Sequence, residues 1–139
     1  MRLAFEKLKT LIPALNIRPL TEADFWFAAE RYDIQVFEIP LKNNGYYVYE
    51  DERDYIFLKA TLKGILWLET ANHELMHALL HHPNEGIHDR QQAEADALAL
   101  ICMMPIGDLE DLSHSADSMD HDHYHLYQQR MVVYKKYGL

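Results

Sequence analysis

Apolar positions along the chain change their period several times, and each change marks an element. Between Arg2 and Ile12, the residues Leu3, Leu8, Leu11 and Ile12 fall near helical spacing until Pro13 interrupts them. Thr21-Glu22-Ala23-Asp24 has the form of a helix start, with Thr21 as N-cap and acids in the first turn. The helix it opens is expected to run to about Tyr32 and to bury some of Phe25, Trp26, Phe27 and Ala29. At Ile34 the pattern becomes alternating and β-branched, and Ile34-Gln35-Val36-Phe37-Glu38-Ile39 ends at Pro40 as a strand should. Gly45 to Tyr49 and Tyr55 to Lys59 read as two more strands, joined by the polar run Glu50 to Asp54. Together they predict a small antiparallel meander of three strands, with tyrosines 46, 47, 49 and 55 split between its faces. One of these strands is expected to be an exposed edge able to accept an extended peptide.

From about Lys63 to His82 the helical period returns. Ile65, Leu68, Asn72, Leu75 and Leu79 form a mostly apolar stripe for the core, while Leu66, Thr70, His73, His77 and His81 follow a neighbouring stripe toward the sheet and a cleft. Breaker residues Pro83-Asn84-Glu85-Gly86 end this helix. A second one is predicted from Asp89 to Met103, with Ala93, Ala97, Leu98, Leu100 and Ile101 on a closely packing face and Pro105 beyond it. Gly107 to Asp120 is acidic and weakly patterned, the sign of a loop. A last helix spans about His123 to Tyr137, with basic Arg130, Lys135 and Lys136 toward its C-terminus. The expected architecture is α+β: a small three-stranded antiparallel sheet packed on a helical core. A single domain is expected over residues 1–139. It divides into a helical N-terminal segment (residues 1–33), a sheet (34–60), two central helices (61–105) and a C-terminal helix (121–137).

Composition narrows the function classes. The 139 residues suffice for a packed core without staples, and 49% hydrophobic with 25% charged is ordinary for a globular chain. A formal charge of −9 argues against direct nucleic-acid binding, which needs a basic surface. No apolar run reaches the length of a membrane span, and charges interrupt the N-terminus too often for a signal peptide. The one cysteine, Cys102, allows no internal disulfide and fits a reducing, cytoplasmic setting.

The candidate chemistry lies in Asn72-His73-Glu74-Leu75-Met76-His77, in the middle of the central helix. Histidines four residues apart stack on one helix face and can share a metal ion. Glu74 projects about 100° around the axis, where it can polarise a water on the open side of that metal. His-Glu-x-x-His is the signature of zinc metallopeptidases, whose catalytic metal takes three protein ligands and keeps one open position. For the third ligand, His81 lies too far along a straight helix, about 12 Å from His73. A histidine six residues past His77 is ruled out because that position is Pro83. His88 stays open, and Glu94, on the next helix, is favoured because it makes the two-histidine, one-glutamate set of a gluzincin. Zinc is the expected metal, with manganese or iron as alternatives. An oxyanion donor is sought among Tyr46, Tyr47, Tyr49, Tyr55 and His88. Asp96 is read as a partner of a ligating histidine or a packing acid. His121, His123 and His125 are read as a solvated loop.

The His73-Glu74-Leu75-x-His77-x-Leu79-Leu80-His81 helix, then Glu94-Ala95-Asp96-x-x-Ala99, then an apolar run ending in Met104-Pro105, resembles the ImmA/IrrE family of bacterial metallopeptidases. The closing Arg130-x-x-x-Tyr134-Lys135-Lys136-Tyr137-Gly138 is similar to the end of its short mobile-element members. The resemblance implies His73, His77 and Glu94 as metal ligands and Glu74 as general base. It also implies a substrate, a helix-turn-helix repressor whose cleavage derepresses a prophage, an integrative element or a stress regulon; the acidic net charge makes any connection to DNA indirect, through such a protein partner. The chain departs from the family at Gln92, where an acid often precedes the Glu-Ala-Asp element, and at Met76, where a small residue is common. A non-catalytic antirepressor that keeps zinc and binds its partner without cutting it is the alternative reading.

Overall fold

In the computed structural model, residues 1–83 and 89–139 are described. The elements follow in the order α1 (Arg2–Leu11), α2 (Glu22–Arg31), β1 (Ile34–Ile39), β2 (Gly45–Glu50), β3 (Arg53–Lys59), α3 (Gly64–Leu79), α4 (Asp89–Met103), α5 (Leu109–His114) and α6 (His121–Tyr137). The fold is α+β. Helix α2 begins as its sequence demands: Thr21 and Asp24 form a reciprocal capping box, and Arg18 adds two hydrogen bonds to the same carboxylate at 2.8 and 2.9 Å. Of its aromatic cluster, Phe25 is buried, whereas Trp26 and Phe27 are exposed.

The sheet corrects the antiparallel meander. Its order is β1-β3-β2, with β1 parallel to β3 and β2 antiparallel to β3, so the sheet is mixed. Hydrophobicity explains the middle place of β3. Its Ile56 and Leu58 are fully buried on one face, and its Tyr55 and Phe57 stack with ring neighbours on the other. A strand this apolar is best served by a partner on each edge, while β1 and β2, richer in exposed positions, take the edges. The turn between β2 and β3 is also tighter than expected. Asp51 and Glu52 both take positive φ, 52° and 63°, the two-residue geometry that matches strand twist, so β3 begins at Arg53.

Register then divides the tyrosines. Tyr46 and Tyr55 lie with Phe37 and Phe57 on the outer face, where neighbouring rings stack at 4.9 to 6.5 Å between centroids. Tyr47 and Tyr49 share the inner face with Ile56, toward α3. Helix α3 crosses that face beside α4. Close contact between β2 and α3 requires Gly45: a Cβ there would meet the Phe57 carbonyl oxygen at 2.9 Å and Thr70 Cγ2 at 3.0 Å.

The C-terminal region differs from the expected loop and helix in two places. Residues 107–120 include the short helix α5, and His121, His123 and His125 fall in the first turns of α6 rather than in a loop. Asp120 caps α6 by accepting a hydrogen bond from the His123 amide at 2.8 Å. Arg130 is not a solvent-facing dipole partner but fully buried, donating to the main-chain oxygens of Met104 and Leu139 and to the Asn16 side chain. It ties α6 to the end of α4 and to the loop after α1. No helix among the described residues is long and apolar enough to cross a membrane.

Candidate metal centre

Helix α3 is buried along most of its length, so a histidine on it is held rather than left to roam. Glu74 and His77 are both buried, and His73 is partly so. Their i, i+4 spacing brings the two rings edge to face at 4.6 Å between centroids, with the Nε2 atoms 3.0 Å apart. A third donor completes a triangle. The Gln92 side-chain oxygen lies 3.0 Å from His73 Nε2 and 3.1 Å from His77 Nε2.

The outer nitrogens of both rings are also engaged. His73 Nδ1 lies 2.7 Å from an Asp96 carboxylate oxygen. His77 Nδ1 lies 2.7 Å from His82 Nδ1, and His82 Nε2 faces Glu94 at 3.7 Å. With His73 donating its Nδ1–H to Asp96 and His77 donating to His82, each ring presents its Nε2 lone pair toward the centre of the triangle. Carboxylate or imidazole partners of this kind fix the tautomer and aim of metal-binding histidines.

His82 reaches this position through the end of α3. His81 adopts the left-handed conformation at φ 55°, its amide bonds to the Ala78 carbonyl, and the His82 amide bonds to the His77 carbonyl at 3.0 Å. That pair of bonds is a Schellman turn, built here on histidine instead of the usual glycine. It reverses the chain and lays the His82 ring against His77.

The electrostatics follow from burial. Burial pulls the His77 imidazole down to about 4, helped by the neighbouring His73, so His77 is neutral and free to donate a lone pair at neutral pH. Burial also acts to lower His73, but the Asp96 hydrogen bond and the nearby Glu74 outweigh it and leave that ring raised. The Glu74 carboxyl is pushed up to about 7, chiefly by burial. Glu74 opens onto a cleft lined also by Asn44, Gly45, Glu69, Thr70, His73 and Asp96, directly beside the first residue of the edge strand β2.

Of the residues singled out in the sequence, the structure brings together His73, Glu74 and His77. It does not bring Glu94 to them. The Glu94 carboxylate lies 3.5 Å from the Met1 amino group and 3.7 Å from His82. Helix geometry gives the reason: Gln92 and Asp96 are four apart and share the face of α4 turned to α3, while Glu94 is rotated about 200° from Gln92. Among the described residues no three His, Cys, Asp or Glu side chains are grouped to hold a metal, and the third place beside the two imidazoles is taken by an amide. The i, i+4 pairing of Gln92 with Asp96, matching that of His73 with His77, was the signal available for it. His88 lies outside the described residues. Among the candidate oxyanion donors, Tyr46 and Tyr55 are on the far face of the sheet, and the Tyr47 hydroxyl is committed to Asp54 at 2.5 Å.

The sequence profile of the Peptidase M78 family, described as the IrrE N-terminal-like domain, matches residues 29–135. The chain belongs to this family. The match starts within α2 and takes in the whole sheet, α3, α4 and nearly all of α6, so the imidazole pair sits inside an IrrE N-terminal-like domain of metallopeptidase type. No curated protein matches the chain.

The donor set suits a divalent metal. Three corners of a tetrahedron around zinc, at bonds of about 2.0–2.1 Å, are roughly 3.3 Å apart, and the three separations here fall a few tenths of an ångström short of that. With both rings in the neutral, Nδ1-protonated form, two Nε2 lone pairs and an amide oxygen turned toward one point repel one another unless a proton or a metal cation lies between them.

Proposed function

We propose that this chain is a zinc-dependent endopeptidase that cuts a protein segment, a helix-turn-helix repressor of a prophage or mobile element. The observation that carries the reading is the convergence of His73 and His77 Nε2 atoms at 3.0 Å with Glu74 buried in the same cleft. His73 and His77 would hold the metal, which when bound supplies Lewis-acid polarisation of the scissile carbonyl. Glu74 takes a proton from the attacking water and passes it to the departing amine nitrogen. A carboxyl raised toward neutrality by burial is matched to both halves of that transfer. The strand β2, last in the sheet order, antiparallel to β3 and bordering the cleft at Gly45, would align an extended substrate by main-chain hydrogen bonds. The net charge of −9 favours a protein partner over DNA.

A second reading is supported by one observation. Gln92 gives the site a neutral third donor, which suits an antirepressor that holds metal loosely and binds its partner without cleaving it. The two separate in one experiment: incubation with a candidate helix-turn-helix repressor, with zinc added, for wild type and Glu74→Gln. Cleavage by wild type alone is expected for the peptidase. Repressor inactivated equally by both proteins, with no new fragments, would establish the antirepressor instead.

A further inference from the structure

We infer that the third metal ligand of this chain is the side-chain oxygen of Gln92, not the carboxylate of Glu94, and that the site therefore holds its metal weakly and exchangeably. The inference rests on the reading of His73 and His77 as a metal pair, and it sharpens what that pair can do.

Three observations converge. The Gln92 side-chain oxygen, on α4, contacts both Nε2 atoms, at 3.0 and 3.1 Å. Glu94 is already occupied, close to the Met1 amino group and to His82. Its place in the structure is behind His77, two imidazole rings removed from the triangle's centre, where its negative charge faces the far nitrogen of His82. Asp96, one turn beyond Gln92, likewise spends its charge on the outer nitrogen of His73. Each carboxylate of α4 that reaches this centre thus does so through a histidine, and the position in direct reach of a metal carries no charge.

The consequence is electrostatic. A carboxylate ligand neutralises half the charge of a divalent ion, whereas an amide oxygen contributes only a dipole, and affinity at oxygen-containing sites rises with the number of charged ligands. The protein is expected to leave purification under-loaded and to fill when zinc is supplied, so its occupancy follows the surrounding metal concentration. The undiminished charge of the ion makes it the stronger Lewis acid once bound.

Zinc competition against a chromophoric chelator, on the full chain, tests the assignment with wild type, Gln92→Glu, Gln92→Ala and Glu94→Gln. Gln92→Glu is expected to tighten zinc by at least about 10-fold, Gln92→Ala to weaken it, and Glu94→Gln to stay within about 3-fold of wild type. Cobalt(II) loading gives an independent reading: its visible bands should shift with both Gln92 variants and stay in place for Glu94→Gln. Loss of zinc in Glu94→Gln with no change in Gln92→Glu overturns the assignment and leaves the metallopeptidase reading standing. Failure of all four proteins to take up zinc or cobalt overturns both. Tight binding by Gln92→Glu without repressor cleavage upholds the ligand and removes only the peptidase.

Discussion

The Nδ1 atoms of His77 and His82 lie 2.7 Å apart, joined across a helix end whose turning residue, His81, is left-handed at φ 55°. A non-glycine residue in that region carries strain, held here by the main-chain hydrogen bonds from His81 to Ala78 and from His82 to His77. His81→Gly should relieve it and stabilise the fold by roughly 0.5–1 kcal/mol, the entropy of glycine offsetting part of the gain. Urea unfolding measures this, and a variant less stable than wild type would show that the His81 ring itself makes a contribution.

His82 is expected to act on the metal through His77. Replacing it with Phe keeps a ring of similar bulk but removes the acceptor for the His77 Nδ1–H, so the imidazole loses its aim and some basicity. Zinc affinity should fall by about 10- to 100-fold, with the far-ultraviolet circular dichroism unchanged. Unaltered affinity would place His82 in a packing role alone.

Gly45 sets how closely β2 approaches α3. Gly45→Ala forces the Phe57 carbonyl or Thr70 to yield, at a cost of about 1–3 kcal/mol. Because β2 borders the cleft, the variant should also weaken cleavage at a given zinc loading more than it weakens zinc binding. Thermal unfolding and a metal-saturated activity assay read the two effects separately.

The Arg18–Asp24 pair at the start of α2 gives a pH dependence away from the site. The hydrogen bonds from Arg18 hold the Asp24 carboxyl well below the usual carboxylate range. A depressed folded-state value contributes stability above the unfolded value of about 3.9, and that contribution is lost as pH falls below it. Solvent screens the pair, so Asp24→Asn should cost about 1 kcal/mol or less at pH 7. The gap between the two proteins should close as pH is lowered from about 4; a constant gap would assign the cost to the capping geometry alone.

Local order was the legible portion of this protein. The bounds of β1 and α4, the Thr21 cap and the pairing of His73 with His77 all follow from residues within a few positions of one another, because helical and strand periods are properties of consecutive side chains. The place of Glu74 beside that pair was readable for the same reason. Three features were not. Strand order depends on which strand most needs both edges and both faces covered, a comparison among strands rather than a property of one, and so β3 sits between β1 and β2. His82 enters the site only because His81 turns left-handed, which no helical projection extends to. The choice between Gln92 and Glu94 rests on the rotation of α4 about its own axis against α3. That rotation is set by the packing of buried Ala95, Leu98 and Cys102, and two residues along a helix are enough to turn a side chain away from the two imidazoles.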